Sequence, residues 1–350
     1  MLEGARADIA RLTEVQSDDV IFTSGATEAN ALAILGHVRA LRARAGRDAP
    51  GRNNMHVLYL PSAHASVVEN MKLLAAEGVS LEPLPIKNSR VHIAALAAML
   101  RKETVLVSMD AVCGETGVIW NTREVAEALR KARAGLAGAR IMLHVDASQA
   151  PMTEKISRAH FDADLLVLDG AKVGTQGVGV LIAHRTIPLV PLYAGGGQER
   201  GIRPGSEAPE RAQEFAAALA AAAKGREKFR ARALRDRALL VERIAAIPHA
   251  AAYESRVQAP NIVNISLPGR DTDYLVALLD EAGFAVATRS ACETDSEEGS
   301  RAVLALTGDF ERARATLRVS WGPPVSSREL KRFGTALLQA VAFIDSAGAR

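Results

Sequence analysis

Short apolar runs alternate with amphipathic stretches through the first two-thirds of the chain. Val20–Thr23, His56–Leu60, Thr104–Met109, Ile141–Val145, Leu165–Leu168 and Val178–Ala183 have the length and apolar density of strands. Between them, Thr27–Ala45, Ser66–Glu77, Ile93–Arg101 and Thr122–Ala134 carry apolar residues at helical period. The last of these meets Gly135, a ready helix terminator. Such alternation predicts an α/β fold, a mostly parallel sheet sandwiched by helices. Ligands of such sheets lie beyond the carboxyl ends of the strands, so residues directly after each strand become the candidates for chemistry.

A Gly-rich loop, Gly195–Gly205, then leads into an Ala-rich helical region, Pro209–Ile247. Beyond it the order is strand Ile262–Leu267, helix Thr272–Ala282, strand Ala285–Ala287, helix Ser300–Leu306, strand Thr316–Ser320 and helix Ser327–Ser346. This predicts a second, smaller α+β domain. The expected division is a large domain over residues 1–223 and a small C-terminal domain over 224–350, with the boundary near Lys224. Ala216–Ala223 is a helix former rather than a linker.

Composition leaves that picture standing. The 350 residues are 48% hydrophobic and 24% charged, ordinary for a globular chain of two domains. The net charge of +3, from 43 basic and 40 acidic residues, implies no nucleic-acid or membrane partner. The basic cluster Lys224–Arg237 has helical spacing and reads as a solvated face. Met1–Val15 is amphipathic and charged rather than a secretory signal, and no apolar run reaches membrane-spanning length. The two cysteines, Cys113 and Cys292, lie far apart and form no metal-type spacing. A reducing cytoplasm, where a free thiol survives, is the expected compartment.

Three places carry candidate chemistry. In Phe22–Asn30 (FTSGATEAN) a strand turns through small residues into a helix, whose first amides would suit an anion; a plain N-cap by Ser24 or Thr27 is the structural alternative. Asp146, in His144–Gln149 (HVDASQ), closes an apolar strand, where its carboxylate can meet a cationic ring nitrogen, cap a helix or complete an ion pair. Further on, the strand Leu165–Leu168 runs into Asp169, Gly170, Ala171 and Lys172. A lysine at the end of a buried strand is expected to be desolvated, which lowers its pKa and suits it to imine formation. Asp146 and Lys172 together match what pyridoxal phosphate requires, and spacing alone leaves a structural ion pair equally open.

At this point the chain resembles a known family. FTSGATEAN, SAHASVVEN, GETGV, HVDASQ, a strand-end lysine, GGGQERGIRPGSE, NIVNIS, ATRSAC and LRVS occur in the order seen in cysteine desulfurases, which are class V, fold-type I pyridoxal-phosphate enzymes. The resemblance spans nearly the whole chain. It implies that Lys172 forms the cofactor imine and that Asp146 faces the pyridine nitrogen. Gln149 would bond the ring hydroxyl, while His64 would stack on the ring and move protons. Ala26 and Thr27 would hold the phosphate, with Ser206 reaching the phosphate of the other subunit of a homodimer. Arg318 would clamp the carboxylate of L-cysteine, and Cys292 would be the nucleophile, with Arg289 as a nearby cation. Sulfur would leave as a persulfide on Cys292 for an acceptor protein, a scaffold for iron-sulfur assembly or a thiolation enzyme. Cys113 is given no catalytic role.

Four features depart from the family pattern. Asp169 and Ala171 stand where the family has serine and histidine beside the lysine; an ionised Asp169 would repel the phosphate unless it points away. The stretch after Lys172 is short, and Gly114 replaces an asparagine before Glu115. Family members carry a further N-terminal segment that lines the substrate entrance, whereas this chain opens in the helix preceding FTSGATEAN. Three alternatives therefore stay open: a selenocysteine lyase, another class V enzyme such as an aminotransferase, and an impaired dimeric binding protein that keeps the fold.

Overall fold

The computed structural model describes residues 1–44, 54–135, 140–288 and 299–348. The chain separates into two compact units, one of Met1–Val112 with Trp120–Gly225 and one of Cys113–Ile119 with Arg226–Arg350.

In the first unit the strands are β1 (Val20–Thr23), β2 (His56–Tyr59), β3 (Ser80–Pro83), β4 (Ile86–Lys87), β5 (Arg90–Val91), β6 (Thr104–Asp110), β7 (Met142–Asp146), β8 (Leu165–Asp169) and β9 (Gly179–Ala183). Its helices are α1 (Leu2–Thr13), α2 (Ala26–Ala31), α3 (His37–Arg44), α4 (Ala65–Ala76), α5 (Ile93–Met99), α6 (Thr122–Gly135) and α7 (Arg158–Phe161). Seven strands form one sheet in the order β1-β9-β8-β7-β6-β2-β3. Only β9 runs against its neighbours; the β2-β3, β2-β6, β6-β7 and β7-β8 pairs are parallel. The mostly parallel sheet expected from the near-continuous apolar strands is present, and β1, β6, β7 and β9 are buried along their whole length.

Edge elements escaped the hydrophobic pattern. β3 has no buried residue and the β4-β5 hairpin only one, so neither shows the apolar run that marks a central strand. The expected helix Thr27–Ala45 starts one residue earlier as α2, passes through a π-helical turn at Leu32–Gly36, and resumes as α3. At Gly36 a Cβ would stand 2.9 Å from the carbonyl oxygen of Val190, so the backbones meet there without a side chain.

A buried ion pair ties the start of the chain to the Gly-rich loop. Arg6 gives both terminal nitrogens to Glu199, at 2.7 and 2.8 Å, and also donates to the carbonyl of Val20. Glu199 in turn accepts from the amide of Phe22. This bidentate pairing is what makes two charges tolerable under cover.

The long helix α8 (Pro209–Ala245) contains the division between the units, after Gly225. In the second unit, β10 (Ala251–Ala252), β11 (Ile262–Ser266) and β12 (Thr316–Ser320) make an antiparallel sheet, accompanied by α9 (Thr272–Glu281), α10 (Arg301–Thr307), α11 (Phe310–Arg314) and α12 (Ser327–Gly348). Ala285–Ala287, expected as a strand, contributes only an isolated bridge between Ala287 and Arg318. The short run has too few residues to sustain a ladder of its own. Gly117 has φ 76°, and a Cβ there would come within 3.0 Å of the Ile262 carbonyl oxygen, which reserves the position for glycine.

Candidate active site

Strand register places the first unit's candidates along one edge. Asp110 pairs with Asp146 across β6 and β7, and Gly179 opposes both Asp169 of β8 and Thr23 of β1. The carboxyl ends of four strands therefore lie side by side, with β9 starting among them. Close backbone approach shapes this edge: a Cβ on Gly179 would sit 2.6 Å from the Gly25 carbonyl carbon.

Asp146 is 7% exposed. Its Oδ2 accepts from Asn30 Nδ2 at 2.7 Å, and its Oδ1 accepts from the Ser148 amide at 2.9 Å and the Ser148 hydroxyl at 2.5 Å. All three donors are neutral, and among the described residues no lysine or arginine forms an ion pair with it. Behind Asn30 the network continues. Its Oδ1 meets His144 Nε2 at 3.1 Å, and the Ser108 hydroxyl lies 2.8 Å from His144 Nδ1. Burial lowers the His144 pKa to about 4 against the opposing pull of the Asp146 charge, so the ring is neutral at ordinary pH.

Lys172 differs from its expected setting. It stands on a single 3-10 turn, Ala171–Val173, beyond the end of β8, and is exposed rather than desolvated. Gly170 turns the chain off the sheet, which carries the lysine past the buried strand end. Of the two options open for Asp169, pointing away from the phosphate or weakening its hold, the geometry favours the second, because the side chain faces the helix start. Its Oδ1 accepts from the Ala171 amide at 3.3 Å, and the Ala26 amide lies close enough to favour its charge. Burial raises the Asp169 pKa; the Ala171 amide and the Lys172 charge work against that rise, and the Asp146 charge adds to it. Both Lys172 and Asp146 are thus close enough to Asp169 to act on it electrostatically.

At the start of α2, Thr27 is exposed and Ala26 half-buried. Glu28 accepts from the Ser24 amide at 2.6 Å, while its other oxygen receives Arg203 at 3.1 Å and the Tyr193 hydroxyl at 2.9 Å. Burial opposes the Glu28 charge, but the Ser24 amide and the Arg203 guanidinium outweigh it and hold the carboxyl below its usual range. Ser206 is exposed, and its carbonyl accepts from Arg203. Gln149 is half-buried in the turn that follows Ser148. His64 caps α4, its Nδ1 accepting from the Ser66 amide at 3.1 Å and lying 2.8 Å from Ser66 Oγ. A separate cavity of about 590 Å³ at the amino ends of β7 and β8, lined by residues including Arg130, Arg140, Arg158 and Asp164, holds none of these groups.

In the second unit, Arg318 is half-buried on β12 opposite Asn264, with its backbone bridged to Ala287. Glu115 accepts from the hydroxyl of Ser300, the buried cap of α10, at 2.5 Å. Cys113 is a buried free thiol. Cys292 and Arg289 lie outside the described residues.

Sequence reasoning missed Asn30, Ser66 and Ser148, the residues that hold Asp146 and His64. Asn30 sits on a buried helix face, Ser66 near the start of the next helix and Ser148 in a turn, so only the tertiary contact reveals them. A polar residue on an otherwise apolar helix face was the available signal for Asn30.

A mostly parallel sheet with a buried carboxylate and a neighbouring lysine at its carboxyl edge is the arrangement of fold-type I pyridoxal-phosphate enzymes. The ring end of the site fits that cofactor: the Asp146 carboxylate is buried among neutral donors, and a protonated pyridine nitrogen supplies the cation it lacks. The family model for class V aminotransferases matches residues 1–333. Cysteine desulfurase IscS 1 of Archaeoglobus fulgidus is 32% identical over 92% of this chain and 81% of its own length. Cysteine desulfurase IscS of Neisseria gonorrhoeae is 29% identical over 97% of this chain and 80% of its own. Among solved structures, DndA from Streptomyces lividans superposes with a TM-score of 0.76 at 29% identity, covering 92% of this chain and 88% of that one. A NifS-like protein superposes with a TM-score of 0.86 over 98% of this chain and 87% of its own; at 23% identity it speaks for the fold alone. The chain belongs to the class V aminotransferase family, on the branch that contains the cysteine desulfurases.

Proposed function

We propose that the protein is a pyridoxal-phosphate-dependent cysteine desulfurase that converts L-cysteine to L-alanine and passes the sulfur, as a persulfide on Cys292, to an acceptor protein. The observation that carries this reading is Asp146: a buried carboxylate with only neutral hydrogen-bond donors among the described residues, at the same edge of the sheet as the turn that bears Lys172. The bound cofactor supplies an electron sink for the charge that develops at the substrate's α-carbon.

The chain's own groups do the rest. Lys172 Nζ would hold the cofactor at its aldehyde and would move protons to and from the substrate carbon. Asp146 would keep the ring nitrogen protonated, Gln149 would bond the ring hydroxyl, and His64 would stack on the ring. The Ala26 amide and the Thr27 hydroxyl hold the phosphate, joined by Ser206 from the second subunit of a homodimer. Arg318 fixes the substrate carboxylate through its planar fork. Cys292 Sγ, as thiolate, attacks the substrate sulfur. An S–S bond forms and the C–S bond breaks. The carbon keeps the electron pair and takes a proton to become the methyl group of alanine. The polar, Gly-containing sequence around Cys292 suits a persulfide that has to travel to its acceptor. A reducing cytoplasm suits a thiol with this role; among the described residues no helix is long and apolar enough to cross a membrane.

A second reading, a dimeric binding protein poor in cofactor, draws on Asp169, whose carboxylate lies near the Ala26 amide where the phosphate would sit. One experiment separates the two. The purified protein is supplied with pyridoxal phosphate, examined for the visible absorbance of lysine-bound cofactor, and given L-cysteine under reductant. The desulfurase yields coloured protein, alanine and sulfide; Lys172→Ala loses the colour and Cys292→Ala loses the sulfide. Protein that stays colourless at saturating cofactor refutes the enzyme, and alanine formation that survives Cys292→Ala refutes the persulfide step. Substituting L-selenocysteine in the same assay measures selectivity between the two chalcogens.

A further inference from the structure

We infer that Asn30 and Ser66 are positioning residues that join Asp146 to His64 through an unbroken line of hydrogen bonds and hold His64 with its proton on Nε2. This rests on the proposed function only for the roles of Asp146 and His64; the proton assignment follows from the chain's own geometry.

One donor in this line has a fixed direction. A backbone amide can only donate, and the Ser66 amide reaches His64 Nδ1 at 3.1 Å. That nitrogen therefore accepts, and a neutral ring carries its proton on Nε2. Ser66 Oγ lies 2.8 Å from the same nitrogen, so its hydroxyl proton also points there, and its oxygen is left to accept. The donor to it is Asn30 Nδ2, at 2.8 Å. The second hydrogen of that amide goes to Asp146 Oδ2, at 2.7 Å.

The orientation of Asn30 is set by Asp146, and that of Asn30 then sets the tautomer of His144. Reversing the amide would turn its oxygen towards the Asp146 carboxylate, acceptor against acceptor. It would also turn its nitrogen towards His144 Nε2. In the orientation found, Asn30 Oδ1 accepts from His144 Nε2–H, and His144 Nδ1 accepts from the Ser108 hydroxyl. Each hydrogen from Ser108 to His64 then has one acceptor. Asn30, His144 and Ser108 are all 0% exposed and Ser66 is 7% exposed, so water competes little for these bonds. Asp146 is the single ionised group in the line, and its negative charge fixes the sense of the whole chain.

For the reaction, this arrangement holds one imidazole rotamer and one tautomer at the residue placed against the cofactor ring. A catalytic imidazole that samples both tautomers spends part of its time with the wrong nitrogen protonated. Orienting partners of this kind contribute roughly tenfold or more to activity at comparable sites. Ser66 touches neither cofactor nor substrate in this account and acts only through His64.

The test uses the full-length protein, ¹⁵N-labelled at histidine, with long-range ¹H–¹⁵N correlation spectra above the histidine titration range. Wild type should show His64 as the Nε2–H tautomer, with an Nδ1 resonance shielded by accepted hydrogen bonds. Ser66→Ala should move that resonance towards the position of a free unprotonated nitrogen, and Ser66→Thr should restore it. In the cofactor-loaded protein, Ser66→Ala should lower kcat for alanine formation roughly tenfold with KM for L-cysteine unchanged, and Ser66→Thr should recover it. A wild-type spectrum with the proton on His64 Nδ1 overturns the inference without any variant, as does an Nδ1 resonance unmoved in a folded Ser66→Ala protein. A protein that binds no cofactor, yet shows the expected wild-type and variant spectra, supports the hydrogen-bonded line while refuting the desulfurase reading.

Discussion

His144 provides a direct measure of how far the buried network is sealed from water. The side chain is fully buried, and burial lowers its pKa from 6.5 to about 4. The unfolded chain therefore takes up a proton here before the folded chain does. The stability linked to His144 is fully present above about pH 6.5 and is lost as pH falls towards about 4. That gap corresponds to about 3 kcal/mol in full, of which about 2 kcal/mol is lost between roughly pH 7 and pH 5. His144→Gln removes the titration while keeping an amide donor near Asn30 Oδ1. Urea unfolding of both proteins across this range, followed by Trp120 fluorescence in a Trp321→Phe background, reports on the first unit alone, because Trp120 belongs to it and Trp321 to the second. The wild type should lose about 2 kcal/mol more than the variant on going from about pH 7 to pH 5, whatever the variant's starting stability. Parallel profiles, or a His144 resonance that titrates near its free value, would refute the sealed network.

Asp169→Ser should tighten retention of pyridoxal phosphate, and wild-type retention should improve relative to the variant as pH falls, because protonating a carboxyl whose pKa burial has already raised removes its repulsion of the phosphate; equilibrium dialysis of cofactor across the acid range checks both. Gly179→Ala should cost about 1–3 kcal/mol, since the new Cβ would lie 2.6 Å from backbone at Gly25, and an unchanged thermal melt would contradict that close approach. Glu199→Ala should destabilise the first unit by about 3–5 kcal/mol by leaving the two terminal nitrogens of Arg6 and the Phe22 amide without their shared buried carboxylate, with only the exposed Glu3 still on Arg6 Nε; the same Trp120-detected unfolding measures it.

The alternation of apolar runs and helical periods was enough to read the layered α/β architecture. Central strands such as Thr104–Asp110 and Met142–Asp146 are buried on both faces and must be apolar nearly throughout. The strand-end rule likewise picked out Asp146, because a carboxylate closing an apolar run is a local signal. Edge strands were illegible for the converse reason: Ser80–Pro83 is held by backbone bonds to a neighbour and buries none of its side chains. The short run Ala285–Ala287 misled in the other direction, since apolar residues there meet β12 at a single bridge.

Amino-acid order by itself determined the central strands of the sheet and the helices between them, the identities of the residues at its carboxyl edge, and the family resemblance that points to Lys172, Arg318 and Cys292. Tertiary structure alone decided that Asn30 and Ser66, from two different helices, meet and link Asp146 to His64; that Asp169 lies near the Ala26 amide; and that Lys172 stands clear of the strand end. The physical reason is the range of the forces involved. Burial and periodicity act through the nearest few residues and leave a trace along the chain. A hydrogen bond between Asn30 and Asp146 depends on where the fold brings residues far apart in sequence, and no local pattern records that.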